Sequence, residues 1–346
     1  MAANASQALI PKARGMYAKR VRSEEYEELM RRRTVPEVAA VLKKHPYFGD
    51  SLATLSPQDP HRGQLEELLN MDIFKKFSAL ARYEFAAHSF ADYFLVECEV
   101  QEIMRALRLL SVGSTGKYIR MFPPFLEGKL QVDLLALAQA QYFTQVLKVL
   151  RYTPYYKVLY PYYQKDPLIR NYPAVEALLI RYYYSEVFSL AKKHLSAREE
   201  EAVRNLFLQE AENYNLSVIL RAKTYFGKAY SGADIQYLLL PYTYRVSAQK
   251  MDEMIHSKGE DLLWAFYRQS ALERIGGPVS PDEFDASGGR IMYKMARRLL
   301  HLTTSPSGAL AAFITLAKLE RDNVVNVIEG VRYGLAPEKV RLLLRQ

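Results

Sequence analysis

The sequence predicts an all-α protein built from one helical unit used three times. Long segments rich in Leu, Ala, Glu, Lys, Arg and Tyr favour helix. Hairpin signals such as Asp-Gly are nearly absent. One helical pattern also recurs along the chain at near-equal spacing.

The clearest copy is Leu208–Gly227, LQEAENYNLSVILRAKTYFG. Leu208, Ala211, Asn215, Val218, Ile219 and Ala222 fall three or four apart and share one face. That face is apolar except for Asn215, which predicts a fixed hydrogen bond from this helix to another. Glu212–Arg221 (ENYNLSVILR) aligns without gaps on Glu99–Arg108 (EVQEIMRALR) and Glu320–Glu329 (ERDNVVNVIE). Glu99, Glu212 and Glu320 coincide, as do Glu102, Asn215 and Asn323, and the apolar Ile103, Leu216 and Val324. Gly113, Gly227 and Gly334 stand where each helix should end. The copies lie 113 and 108 residues apart, which predicts three units, 1–122, 123–233 and 234–346.

In chain order, residues 1–14 read as a loose tail, followed by a helix from near Gly15 through MYAKRVRSEEYEELMRRR. Thr34, Pro36 and Glu37 then suit a helix start, and Val38, Val41 and Leu42 give a short amphipathic helix ending at Pro46-Tyr47. Val146–Tyr155 echoes this hairpin, and Asp261–Ser270 does so faintly. PQDPHR at 57–62 reads as a loop, 65–110 as two helices, and Pro123-Pro124 as a boundary. Residues 131–150 read as helical, and 151–184 are crowded with tyrosine. A long helix over 198–226 follows, then a second boundary at Gly227–Asp234 and Pro241. A loop over Gly276–Gly289, helices over 290–301 and 307–330, and a short helix Glu338–Leu344 complete the chain.

The chain has 346 residues, 49% of them apolar, enough for a proper core. Its one cysteine, Cys98, excludes an intrachain disulfide and lies on the apolar face of a helix, as a buried thiol does. No signal peptide and no run of 18 apolar residues is legible, so the expectation is a cytoplasmic protein without a transmembrane segment. The net charge of +9 suits an acidic partner. Arg31, Arg32, Arg33, Lys43 and Lys44 are candidate partner contacts because they are clustered and basic.

Catalytic patterns are missing. SVGSTGKY at 111–118 lacks the first glycine and the metal-binding hydroxyl of a phosphate loop, and follows a helix. The six histidines show no metal spacing, and no metal or cofactor is expected. Glu97, Glu99 and Glu102 suit ion pairs with Arg105 and Arg108 rather than acid–base chemistry. The tyrosines of 151–184 read as fillers of helix seams rather than base-stacking platforms.

Three segments resemble one family. Met16–Arg22 (MYAKRVR) is similar to a Tyr-x-x-Ala-Arg-Val-Arg opening through Tyr17, Arg20 and Arg22. Glu212–Lys223 is similar to Asp-Ile-x-Asn-Leu-x-x-Ile-Leu-Arg-Ala-Lys, with Glu212 in place of Asp and with Asn215 and Arg221 matching. Leu319–Pro337 is similar to the family's closing segment through Glu320, Asn323, Glu329, Gly330 and Gly334. The family is that of the C subunit of the bacterial and archaeal V/A-type rotary ATPases, the counterpart of the d subunit of the eukaryotic V-ATPases. The resemblance implies three similar helical domains in a pseudo-threefold, funnel-like arrangement. It also implies a non-catalytic rotor part on the cytoplasmic face of the membrane. Its partners would be the central-stalk subunits and the membrane proteolipid ring, with no nucleic acid and no small-molecule substrate. The rival reading is a helical-repeat scaffold that binds an acidic protein or nucleic acid.

Overall fold

Several helices begin where a side chain accepts from their first N–H groups, at Thr34, Asp133, Asn171, Ser231, Ser247 and Ser305. The computed structural model describes residues 6–55, 62–83, 88–114, 128–226, 229–257 and 283–346. Among these residues every regular element is helical: α1 (Leu9–Ala18), α2 (Ser23–Met30), α3 (Val35–Lys44), α4 (Gly49–Leu52), α5 (Arg62–Ala81), α6 (Asp92–Ser111), α7 (Leu134–Ala138) and α8 (Phe143–Val149). There follow α9 (Pro154–Tyr163), α10 (Tyr172–His194), α11 (Ala197–Thr224), α12 (Gly232–Leu238), α13 (Ala248–His256), α14 (Phe284–Leu302), α15 (Pro306–Arg332) and α16 (Pro337–Leu342). The all-α class is as the sequence predicts.

Two compact units form. One comprises Met1–Ala87, Glu201–Leu206 and Trp264–Gln346; the other comprises His88–Glu200 and Phe207–Leu263. In the first, α15 is the centre and packs against α1, α2, α3, α5, α14 and α16. Ser305 caps it by accepting from the Gly308 N–H at 3.1 Å. Its first half is buried on every side from Gly308 to Ile314, and its second half buries Asn323, Val324, Val327 and Ile328 along one face. This apolar run is therefore a core helix. Val21, Tyr26, Leu29, Val38, Leu42, Phe48 and Leu52 close over that face. In the second unit α6 packs along α10, and α9 and α12 pack on α10 as well. Cys98 is buried on α6, as its position predicts.

Expected caps are in place. Thr34 accepts from the Glu37 N–H on α3 as expected; on α11, Ser196 and Glu199 cap each other's backbone, a pairing the sequence reading did not name. Gly113 and Gly334 have φ of 65° and 63°, and each terminates a long helix. After Gly334 the Leu335 N–H returns to the Gly330 carbonyl at 2.8 Å. Gly227, Lys117, Pro123-Pro124, the Asp261–Ser270 echo and residues 56–61 lie outside the described residues.

Several expected boundaries differ. Residues 9–14 are helix rather than tail, because Leu9, Ile10, Ala13 and Tyr17 form one buried face. The helix expected from Gly15 to Arg33 breaks between α1 and α2, where the Arg22 N–H donates to Glu25 at 2.7 Å and starts a new helix. The helix expected over 131–150 is instead α7 and α8, since Gln145 takes the Gln141 N–H at 2.7 Å and restarts the chain there. The expected loop at Gly276–Gly289 is helical from Phe284, where buried Gly289 lets Arg345 approach. The second expected boundary contains α12, capped by Ser231 and Asp234.

Gly330 on α15 is closely approached. A Cβ there would stand 2.3 Å from Cγ2 of Val340, which is itself 1% exposed. Gly330→Ala should lower the urea midpoint, a loss of about 1–3 kcal/mol from overpacking. An unchanged midpoint would show that α16 can move aside.

Candidate functional site

Three buried carboxylates, one on each long repeated helix, bind backbone N–H groups of a short non-helical turn. Glu99 of α6 accepts through Oε1 from the Gln131 and Val132 N–H groups, the latter at 3.2 Å, and through Oε2 from the Tyr155 hydroxyl at 2.5 Å. Oε2 of Glu212 on α11 accepts from the N–H groups of Tyr244, Arg245 and Val246 at 3.1, 2.6 and 2.7 Å. Oε1 of Glu320 on α15 accepts from the Val21 N–H at 2.8 Å. The three glutamates are at most 3% exposed.

The turns correspond as the helices do. Arg20-Val21-Arg22, Gln131-Val132-Asp133 and Arg245-Val246-Ser247 each place a buried valine one residue before a helix cap. Each glutamate thus fixes the start of the following short helix: α2, α7 or α13. Sequence reading missed these turns because a single valine beside a polar residue is a faint signal. The valines nevertheless recur at roughly the repeat spacing.

The second polar position varies more. The Asn215 amide donates to the carbonyls of Leu240 and Tyr242 at 3.0 and 3.3 Å and accepts from the Leu240 N–H at 2.8 Å. The hydrogen bond expected from the sequence is present, but it runs to non-helical backbone between two helices rather than to another helix. Backbone between α12 and α13 has unpaired groups to offer, whereas a helix has none in its interior. Asn323 accepts from the Arg345 N–H at 2.7 Å, and Glu102 accepts from Arg105 at 2.6 Å.

Glu320 sits among several polar groups. Burial pushes its carboxyl up to about 7, opposed by the Val21 N–H, the Tyr26 hydroxyl, Lys76 and Arg20. Arg20 lies 4.6 Å from the Tyr17 ring centroid, and the Tyr17 hydroxyl is 3.1 Å from that of Tyr293. Nearby, Lys76 pairs with Asp72 and donates to the Tyr47 carbonyl at 3.1 Å, while the Ser51 hydroxyl donates to Asp72 at 2.9 Å. Burial pushes the Lys76 ammonium down to about 8 against the pull of Asp72. These groups are tied into the packing. Among the described residues no cluster of His, Cys, Asp and Glu has metal-holding geometry, and no helix is long and apolar enough to cross a membrane.

The other sequence-derived residues scatter. Arg22 and Arg221 are exposed at their helix ends. Glu329 pairs with Arg332 at 3.7 Å. Of the basic candidates, Arg31, Arg33 and Lys44 are exposed, Arg32 pairs with Glu28, and Lys43 donates to the Leu55 carbonyl at 2.9 Å.

Two substitutions test the site. Asn215→Ala strands the Leu240 backbone in the interior and should cost about 1–3 kcal/mol of stability, measured by chemical denaturation; no loss would mean that the clamp is idle. For Glu320, the unfolded carboxyl ionises at lower pH than the folded one. Its contribution is therefore fully present below the unfolded value of 4.5 and is lost as pH rises through about 7. Glu320→Gln keeps an acceptor for Val21 and cannot ionise. It should gain on the native chain by up to about 3 kcal/mol between roughly pH 5 and pH 8. A stability difference that stays constant with pH contradicts the assignment.

No curated protein matches the chain. The family model described as ATP synthase (C/AC39) subunit matches residues 9–343, a span that includes the three carboxylate-bearing helices and the turns they hold. The chain belongs to the ATP synthase (C/AC39) subunit family of the V/A-type ATPases.

Proposed function

We propose that the chain is a non-catalytic central-stalk component that joins the rotor shaft of a V/A-type ATPase to its membrane proteolipid ring. It would act on the cytoplasmic face and couple ATP turnover to proton or sodium transport. The observation that supports this reading most is the set of buried glutamates that tie long helices to the turns after them. A part that transmits torque must resist shear. Buried, geometrically fixed hydrogen bonds between helix and turn resist it better than apolar contacts, which slide.

We further propose three sequence repeats, 1–122, 123–233 and 234–346. Each glutamate then reaches out of its own repeat. Glu99 holds the opening turn of the second, Glu212 that of the third, and Glu320 that of the first. The last repeat is thereby bonded to the first. Among the basic contact candidates, Arg31, Arg33 and Lys44 are the ones left exposed for a partner.

Tagging the chain in its own host and solubilising the membranes gently tests the assignment. Recovery of a nucleotide-binding head, a coiled-coil stalk and a small proteolipid is the expected result. Recovery of nucleic acid or unrelated soluble proteins alone would overturn it. Reversing the charges of Arg31, Arg33 and Lys44 together should reduce the yield of the proteins that co-purify; full recovery would remove these residues from the interface.

A further inference from the structure

The segment from α8 through α9 differs from the rest of the chain in charge. Between Asp133 and Asp166 there is no carboxylate, while Lys148, Arg151, Lys157 and Lys165 fall within it. All four are exposed, and among the described residues none forms an ion pair. The two flanking carboxylates are already engaged. Asp133 caps α7 by accepting from the Leu135 and Ala136 N–H groups, and Asp166 accepts from the Tyr162 hydroxyl at 2.8 Å and the Asn171 N–H at 3.1 Å.

Alongside this charge runs a ladder of tyrosine rings. Tyr156, Tyr160 and Tyr163 follow helical spacing on one face of α9. Tyr156 and Tyr160 stack with centroids 5.1 Å apart and planes at 17°, and Tyr160 and Tyr163 stack at 6.4 Å and 27°. Tyr163 meets the buried Phe143 edge-on at 5.4 Å, which anchors the ladder to the core. Lys157 and Gln164 are exposed beside the ladder, roughly a quarter-turn round the helix from it, and Arg151 precedes it with its guanidinium 5.7 Å from the ring of the 93% exposed Tyr152.

This arrangement selects among anionic partners. Rings that stack on one another spend their faces on each other, which leaves little for nucleobases. What remains outward is the electropositive ring edge and the hydroxyl. The face exposes no Leu, Ile, Phe or Trp, the residues that insert into a lipid surface. Carboxylates match both the hydroxyl donors and the lysine and arginine beside them. Stacked, anchored rings also lose little freedom on binding, and Tyr and Arg are the residues that carry protein interfaces.

We propose that the Tyr156–Tyr160 ladder of α9, with Lys157 flanking it and Arg151 and Tyr152 ahead of it, is a docking surface for an acidic segment of a protein partner. The proposal does not depend on the rotor assignment, because it rests on this surface alone. Its test is fluorescence anisotropy of the full chain with a labelled amphipathic peptide of glutamate and leucine, at low and at raised salt. The native chain should bind, and more weakly as salt rises. Arg151→Glu with Lys157→Glu should weaken binding by about tenfold or more, and Tyr156→Ala with Tyr160→Ala should weaken it comparably. The helical circular dichroism of both variants should match that of the native chain. If the charge reversal disturbs the fold, Arg151→Gln with Lys157→Gln must still weaken binding. Absence of peptide binding, or equal affinity in folded variants, overturns the proposal. So does preferential binding of oligodeoxythymidine or phosphatidylserine vesicles.

Discussion

A carboxylate taken out of water must be met by donors, and this constraint organises the chain. An ionised group buried without partners costs more than a small protein's whole stability. Each of the three repeated glutamates meets it with backbone N–H groups that a turn into a helix leaves unpaired. The two problems are complementary: the turn has surplus donors and the glutamate has surplus acceptors. Because the solution is geometric, it fixes the valine of each turn in the core and the direction of the short helix that follows.

The three locks are not equal, and the difference is physical. Glu212 collects three N–H groups, Glu99 two and a tyrosine hydroxyl, and Glu320 one N–H beside Tyr26. Burial raises the carboxyls of Glu99 and Glu320 in each case against the pull of their donors, and Glu320 reaches about 7. The lock that joins the last long helix to the first turn therefore responds to pH near neutrality. Its surroundings supply compensation in Lys76 and Arg20 rather than in further backbone donors.

Much of the architecture was legible because helices write their buried face at a fixed period. The α11 and α15 patterns, the Thr34 cap, the glycine stops at 113 and 334 and the buried Cys98 all follow from local rules. What escaped was non-local. The need for a partner at Asn215 was legible, but not its nature, since a non-helical segment such as 239–246 carries no period. The break between α1 and α2 has no glycine or proline to mark it, only the Arg22–Glu25 capping pattern. The tyrosine-rich stretch read as seam filler. Tyr155, Tyr162, Tyr183 and Tyr184 are indeed buried, whereas Tyr152 and Tyr160 face outward. Composition alone does not separate those two fates. The basic candidates were grouped by sequence proximity, and only the fold showed that Lys43 is committed to the Leu55 carbonyl.

Native-state hydrogen exchange at the backbone amides of Val21, Val132 and Val246 tests the central claim most directly. If the glutamate locks hold the turns, these amides exchange only through large-scale unfolding, as slowly as the core of α15. Exchange at the rate of ordinary surface turns would mean that the locks open independently of the fold, and the account of how the long helices are joined would fail.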